Sequence, residues 1–517
     1  MRARSPRSAA PHPPITRRER TPSVPPPLPS TRAAYYYCTE KNETYAQTVE
    51  DIVSHAKAAG IPYRAFQLDS WWYPKGASGG VTSWTPMPEV FPLGLQPVHA
   101  AIGMPFVAHN RYWDAKTVYA KQNGGGYDFI VESKLAIPTE ERFWVDLLTN
   151  ATAWGLSVYE QDWLHNEFEG LQATLTSATL GRDWLLQMGR GAEAAEVTIQ
   201  YCMPYPRHVL QSVEVPAVTQ SRASDDYSPQ NDQWSLGVSS ILYHAVGLAP
   251  WKDDTWTSTA RQDCPSGTHH FAHDTETAPV LELMVSTLTT GPVGPSDLIG
   301  SENRANILST CSADGVILKP SVPATALDAT FARRAFGTGG PDGELWSSYS
   351  DVSGRRFHHV LCATLDSPFD VLPAAIKGSS ASGFRPSPTA GATYFAYQYA
   401  GGAAFGGLQS FSETSPVHCP ANDKTNPALW HAAPQLPSGH VLLGEAEKYV
   451  AVSPMRFTDL AADTSGFSVR LTGAEGESIA VYVAKPGADG ASNTFKVQCI
   501  LPAGGSAVLS VPANTCV

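Results

Sequence analysis

Residues 140–162 read EERFWVDLLTNATAWGLSVYEQD, and this stretch decides the fold. Glu140–Trp154 reads as a helix closed by Gly155, and Leu156–Gln161 as a strand that ends on Asp162. Helix, glycine, strand and then a carboxylate at the strand's C-terminal end make one unit of a parallel α/β sheet. The same texture extends in both directions. Ala34–Cys38 is expected to be a strand, and Thr44–Ala59 a helix with Val49, Ile52, Val53 and Ala56 at helical spacing and Gly60 as its stop. Ala65–Leu68 and Met104–Ala108 read as further strands, the first running into Asp69. Downstream, helix Arg182–Gly189, strand Val197–Cys202, strand Ala217–Ser221, helix Trp234–Val246, strand Gly247–Trp251 and helix Thr277–Leu288 continue the alternation. Repeated βα units predict a parallel sheet, and their total length suits a closed (β/α)8 barrel over residues 34–330 better than an open sheet.

After about Gly340 the texture changes. Short alternating runs such as Phe357–Leu361, Lys448–Val452, Phe467–Leu471, Ile479–Val483 and Ala507–Val511 are separated by Gly, Pro, Ser and Asp. They predict a C-terminal antiparallel β domain, sandwich-like, over residues 331–517, acting as a lid or packing module. Residues 1–33, rich in Pro, Arg and Ser, are expected to be a disordered tail without the apolar core of a secretory signal.

Composition narrows the function. The 517 residues are 42% hydrophobic, enough for a large core, and their formal charge of −12 argues against nucleic acid or an anionic membrane as partner. No run of about 18 apolar residues is present, so no membrane span is expected. The eight Cys form no C-x-x-C pair, which leaves no zinc framework; the even count permits disulfides without requiring them. The sequons at Asn42 and Asn150 are compatible with secretion but also with chance, so the compartment stays open.

A barrel of this kind carries its chemistry at the C-terminal ends of its strands. There the sequence places Asp69, Ser70, Trp71 and Trp72; His109, Asn110 and Trp113; Glu160 and Asp162; Cys202 and Met203; Arg222, Asp225 and Asp226; and Trp251, Asp253 and Asp254. One Asp at a strand end is more often a cap or turn residue than a catalyst. Several acids with Trp and one Arg at one mouth suit a sugar: carboxylates can protonate a leaving oxygen and attack an anomeric carbon, while aromatic rings cover sugar faces. No metal triad and no cofactor motif is evident.

The order Cys38-Thr39, Gln67-Leu-Asp69-Ser-Trp-Trp72, Tyr159-Glu-Gln-Asp162, Cys202-Met203, Arg222-Ala-Ser-Asp-Asp-Tyr227 and Ser296-Asp297 resembles the raffinose synthase and seed imbibition proteins, plant-type members of glycoside hydrolase family 36 in the clan of retaining α-galactosidases. The resemblance covers about residues 35–330. It implies Asp162 as nucleophile, Asp225 as general acid/base, and Arg222 as a sugar contact; Asp69, Trp72, Trp113, Glu160, Cys202 and Asp226, at the same mouth, are expected to complete the substrate site. Two positions depart from that family. A second Asp usually follows the position of Asp69, where Ser70 stands, and a Lys usually stands where Glu160 does. Replacing a cation by an acid should raise the pKa of nearby carboxylates. Residues 1–33 are not expected to form the large N-terminal β-sandwich of that family. Three readings follow: a retaining glycosidase, a transglycosylase with the same residues, and a carbohydrate-binding barrel that has lost catalysis.

Two weaker patterns are set aside. Gly76-Ala-Ser78-Gly-Gly80 has the spacing of a nucleophile elbow, but the prolines of Trp84-Thr-Pro-Met-Pro88 prevent the prompt helix that motif needs, so a loop is expected. His269, His270, His273 and Asp274 lead toward a helix start that Asp274 can cap, and are not expected to bind a metal.

Overall fold

The computed structural model of the chain describes residues 35, 37–267, 271–376, 392–401, 405, 407–487 and 492–517. The expected N-terminal tail and residues His269 and His270 lie outside them.

Thr44 starts the first helix, α1 (Tyr45–Ala59). Its hydroxyl accepts from the Gln47 N–H at 3.3 Å and the Gln47 carboxamide accepts from the Thr44 N–H at 3.0 Å, so two helix-end donors are satisfied reciprocally. Gly60 closes α1 at φ 66°, a conformation that costs glycine nothing. Six strands then alternate with helices: β1 (Phe66–Leu68), α2 (Leu95–Ile102), β2 (Phe106–Asn110), α3 (Glu141–Thr152), β3 (Leu156–Gln161), α4 (Leu180–Ala194), β4 (Thr198–Tyr201), α5 (Pro206–Gln211), β5 (Val218–Arg222), α6 (Ser239–Val246), β6 (Ala249–Trp251) and α7 (Pro279–Leu288). All six strands pair in parallel and in chain order, β1 to β6. That is the order of a (β/α) barrel; a doubly wound sheet reverses direction part-way.

The expected eight-stranded closed ladder is not formed among the described residues. Of the segment predicted as the first strand, the described residues Tyr35, Tyr37 and Cys38 lie in no strand, and the Cys38 N–H bonds to the Tyr35 carbonyl at 3.2 Å. Beyond β6 the chain keeps one parallel bridge, Thr255 to Pro295, flanked by bonds from the Thr255 N–H to the Gly294 carbonyl and from the Ser296 N–H to the Thr255 carbonyl. Pro292 and Pro295 have no N–H to extend that ladder. The two ends of the sheet nevertheless face each other through side chains: Tyr35, Phe66, Gln67, Trp71, Ser296 and Asp297 line one small cavity.

Antiparallel β structure follows the parallel sheet, beginning at Val322. Its first strand, Val322–Ala326, pairs antiparallel with Glu344–Val352, and the sheet continues through Arg355–Ala363, Ala428–Pro434, Tyr394–Gln398 and Gln409–Phe411. Smaller antiparallel sheets follow, built from Val441–Gly444, Ser478–Pro486 and Ser492–Ile500 and from Phe457–Ala462, Phe467–Thr472, Ser506–Val511 and Thr515–Cys516. Lys448–Val452, expected as a strand, is none. Its backbone serves the domain junction: the Tyr449 N–H reaches the Ser309 carbonyl at 3.1 Å, and Lys448 Nζ reaches the carbonyls of Leu308 and Cys311. One apolar cluster spans that junction, with Leu281 and Leu283 of α7 against Trp346, Leu361, Leu429 and Val450. Disulfides join Cys38 to Cys264, Cys362 to Cys419 and Cys499 to Cys516, while Cys202 and Cys311 are buried thiols. No described helix is long and apolar enough to cross a membrane.

Candidate functional site

Side chains two residues apart on a strand share a face, so the registers of the parallel sheet build the site in two tiers. The lower tier is a belt of buried amides and one acid. Glu160 lies in register with His109 on one side and Gln200 on the other, and Gln200 with Gln220. Gln67 Nε2 donates to Glu160 Oε2 at 2.7 Å, and Gln220 Nε2 to Gln200 Oε1 at 2.7 Å. Two residues further along the same strands come Asp69, Asp162, Cys202 and Arg222, all buried.

Asp162 is only 3% exposed. Its N–H is tied to the Asn110 carbonyl, and its Oδ1 accepts from the Trp163 N–H at 2.7 Å. Oδ2 lies 2.9 Å from His109 Nε2, and His109 Nδ1 lies 2.7 Å from the Tyr73 hydroxyl. One tautomer satisfies the whole chain: Tyr73 O–H donates to Nδ1, and Nε2–H donates to the carboxylate. Burial alone pushes the Asp162 carboxyl up. The hydrogen bond from His109, the charge of Arg222 and a hydrogen bond from Cys202 outweigh it and hold Asp162 well below the usual carboxylate range. The expectation that Glu160 would push its neighbours up is therefore not met at Asp162, where the donors of the upper tier dominate.

Arg222, at the end of β5, is the hinge between this acid and the loop that follows. Burial works against its charge, but the carboxylates of Asp253, Asp226 and Asp162 keep the guanidinium firmly protonated. Arg222 Nη1 pairs with Asp226 Oδ1 at 2.6 Å and with Asp253 Oδ2 at 3.4 Å. Asp253 also accepts from the Tyr227 N–H at 2.7 Å, while its own N–H donates to Ser224 Oγ at 2.9 Å. The loop Ala223–Asp226 is thus clamped at both ends by one buried residue. Behind it, Lys252 Nζ meets Glu282 at 2.6 Å and the carbonyls of Asp253 and Asp254 at 3.0 Å. Burial pushes Glu282 up to about 7 against the pull of Lys252. The clamp leaves Asp225 exposed and facing an open cavity of about 430 Å³ lined by His165, Met203, Tyr205, Arg222, Asp225 and Gln233 among others.

The residues singled out from sequence are distributed as follows. Asp162, Cys202 and Arg222 form one interacting group, and Asp226 joins it through Arg222. Asp69 is buried and its carboxylate accepts from the Ser70 N–H. Trp72 and Trp113 are fully buried and lie in the aromatic core rather than against the cavity: Trp72 packs on Trp84 and Trp154, and Trp113 on Phe143 and Trp144. Trp71 stacks on Tyr45 of α1. The Gly76–Gly80 loop is a tight turn in which Ser78 bonds to Asp114; no helix follows it before α2 at Leu95. Asp274 does not cap α7, whose Ala278 N–H bonds to Glu276 instead. Among the described residues no group of His, Cys, Asp or Glu is arranged to hold a metal ion. His109, Asp253 and Gln233 were not selected as site residues. His109 and Asp253 stand at strand ends and were legible as position, not as role. Gln233 lies in an irregular segment and gave no signal.

No family model and no curated protein matches this chain. Solved structures do match it in shape. A β-L-arabinopyranosidase of glycoside hydrolase family 27 from Geobacillus stearothermophilus, in complex with arabinose, aligns over 79% of this chain and 97% of its own, with a TM-score of 0.53 and 13% identity. An α-galactosidase from Lactobacillus brevis aligns over 79% of this chain and 55% of its own, with a TM-score of 0.46 and 12% identity. A family 36 α-galactosidase from Geobacillus stearothermophilus, in complex with stachyose, covers 80% of this chain and 56% of its own, with a TM-score of 0.44 and 9% identity. The first of these likenesses establishes a shared fold, a parallel α/β unit followed by antiparallel β structure.

Proposed function

We propose that this chain is a retaining glycoside hydrolase of the α-galactosidase kind, with Asp162 as nucleophile and Asp225 as general acid/base. The observation that carries the reading is the unequal treatment of two carboxyls around one arginine. Asp162 is buried and held ionised by His109, Arg222 and Cys202, as a nucleophile needs. Asp225 is on the cavity wall beside Arg222, open to a leaving group and to water. Asp226, the rival acid, is taken up by its ion pair with Arg222 at 2.6 Å. In the first step the Asp162 carboxylate attacks the anomeric carbon, and Asp225 gives its proton to the departing oxygen. In the second step Asp225 takes a proton from water, which attacks the glycosyl-enzyme and frees Asp162. Of the residues expected to bind the sugar, Arg222 lines this cavity, while Asp69, Glu160 and Cys202 are buried and are not part of its wall. Transfer to a sugar hydroxyl would use the same pair, with the acceptor in place of water.

The first experiment is a screen of aryl α-glycosides, with the aryl β-L-arabinopyranoside included. It is followed by trapping with the matching 2-fluoro sugar and mass spectrometry of the peptide holding Asp162. An adduct on Asp162, lost together with turnover in Asp162→Asn, is the expected result. Normal turnover in that variant would overturn the assignment, and product analysis with an added acceptor sugar separates hydrolysis from transfer.

A further inference from the structure

Arg111 directly follows the last residue of β2, at the same end of the sheet as Asp162. The Asp162 N–H bonds to the Asn110 carbonyl at 2.8 Å, so Arg111 and Trp163 are the next residues on two strand ends that are tied together. Trp163 stands at φ 55°, a left-handed conformation that a bulky residue rarely adopts. The Arg111 guanidinium lies over the Trp163 ring at 4.6 Å and over the Tyr112 ring at 5.1 Å. His165, on the wall of the cavity beside Asp225, stacks on Trp163 at 5.7 Å. A row of side chains thus runs from the cavity through His165 and Trp163 to Arg111.

The rings occupy the faces of the guanidinium, and the protein leaves its edge open. Arg111 makes no ion pair and donates no hydrogen bond among the described residues. Its Nε is buried, while the side chain as a whole is half-buried, so the Nη end is the part that meets solvent. That end carries N–H donors in a planar fork, the geometry that takes two oxygens of a carboxylate or sulfate together. Lys75, in the loop after β1, adds charge of the same sign. Its Nζ bonds to the Ser70 carbonyl at 2.5 Å and to the Tyr37 hydroxyl, lies over the Tyr37 and Tyr73 rings, and has no carboxylate partner among the described residues. Val81 bridges to Lys75 on one side and to Trp113 on the other, which sets both cations on one lip of the mouth. The acids Asp225, Asp226 and Asp253 belong to the loops after β5 and β6, where Arg222 is already paired. A neutral hydroxyl at Arg111 gains an ordinary hydrogen bond; an anion gains the charge as well.

From this arrangement we propose that Arg111 is a substrate-recognition residue, and that the saccharide taken by this site is acidic, with a carboxylate or sulfate ester on a unit that reaches past Trp163. The inference rests on the reading of the Asp162 mouth as a glycosidase site and deepens it by naming the substrate's charge. Arg111 supplies paired hydrogen bonds to the anion, and Lys75 strengthens the local field.

The test is calorimetric binding to the Asp162→Asn protein, which keeps the probes intact. The probes are galactotriose, trigalacturonate and a sulfated galactotriose, all α-1,4-linked. At low salt one acidic probe should bind about tenfold or more tighter than the neutral one, and the advantage should shrink as NaCl is raised. Which acidic probe is favoured identifies the anion as carboxylate or sulfate. Adding Arg111→Gln should remove most of that advantage and leave the Kd of the neutral probe within about twofold. Arg111→Lys keeps the charge over the rings but not the fork, and should retain only part of the advantage; it decides the matter if the Gln variant does not fold. Absence of any preference for an acidic probe overturns the proposal, as does a preference undiminished in the Arg111 variants. Equal weakening of all three probes would show a packing role and overturn it too. Turnover is measured separately: a wild type that cleaves no glycoside fails the catalytic reading, while the binding preference stands or falls by itself.

Discussion

Replacing His109 by Phe tests what holds Asp162 ionised. The ring position is retained, since His109 stacks with Tyr73 at 14° between planes, but the Nε2–H that reaches Asp162 at 2.9 Å is lost. Arg222 and Cys202 remain. A hydrogen bond to a charged group is worth about 1.5–3 kcal/mol, and one pKa unit corresponds to about 1.4 kcal/mol. The Asp162 carboxyl should therefore rise by about one to two units. In wild type it titrates below its unfolded value, so its ionised form stabilises the fold above that value, and this contribution is lost as pH falls through the folded pKa. In the variant the folded pKa moves up. The stability deficit is then present at neutral pH and shrinks in acid, where the carboxyl is protonated in both proteins. The assay is the pH dependence of kcat/KM on the best aryl glycoside. Its acid limb should move to higher pH by one to two units, whereas Tyr73→Phe, which removes only the outer bond, should move it by much less. A limb that stays in place while kcat/KM drops uniformly would refute the argument that His109 sets the ionisation of Asp162.

Three further outcomes are expected. Arg456, fully buried, holds Glu445 at 3.0 Å and Glu477 at 2.6 Å; Arg456→Met should cost about 3–5 kcal/mol in chemical unfolding by stranding two carboxylates, and a loss below about 1 kcal/mol would contradict this. His359 and His431 share a buried contact at 2.9 Å, and burial pushes His431 down to about 3 and His359 well below its usual value. Both are neutral when folded, so stability is complete above the unfolded value near 6.5 and declines as pH falls toward the folded values; His431→Gln should flatten the decline in urea midpoints between about pH 6.5 and 4, and a wild-type midpoint that does not change over that range would contradict the reasoning. The pair Ser70→Asp with Glu160→Lys should raise kcat/KM on an aryl α-galactoside by about tenfold by supplying charged partners for sugar hydroxyls; efficient wild-type hydrolysis that the double change does not improve would remove these positions from specificity.

What the sequence revealed depended on how local the determining forces were. Helix α1 and strand β3 were legible to within a residue or two, because a Thr cap, a terminal glycine and apolar spacing lie within the segment itself. The turn at Tyr35–Cys38 was not, although its composition suits a strand. The Tyr35 hydroxyl is engaged by the Ile299 N–H, and Cys38 by Cys264, both more than two hundred residues away. Lys448–Val452 alternates like a strand, yet its hydrogen bonds go to Glu445 in its own turn and to residues 308–311. Among the site residues, Asp162 and Arg222 stood out because they end strands whose direction the sequence had already set. Trp72 and Trp113 occupy similar positions, but a Trp beside a strand end serves a core as well as a sugar. Only the packing of Trp84, Trp154 and Phe143 around them distinguishes the two. Asp253 was visible as an acid, but its clamp on Arg222 and Tyr227 follows from the register of Arg222 with Trp251.

The two-tier interior also explains how an acid can stand in the lower tier without ruining the upper. Asp162 and Glu160 are two residues apart on one face, roughly 6–7 Å along the chain. Two full charges at that distance repel by about 2.5 kcal/mol at an effective dielectric of 20, enough to raise a carboxyl by nearly two units. Asp162 is nevertheless held low. The difference lies in where the donors are. Glu160 is met by the neutral carboxamide of Gln67, while Arg222, His109 and Cys202 all converge one step higher, on Asp162. The positive end of the local field therefore lies between the buried acid and the cavity, and the more remote carboxyl, Asp225, sits beyond it in contact with solvent. On the proposed reading, such a gradient keeps Asp162 ionised for attack while Asp225 stands open to the leaving group. A retaining mechanism requires that division of labour from two chemically identical groups.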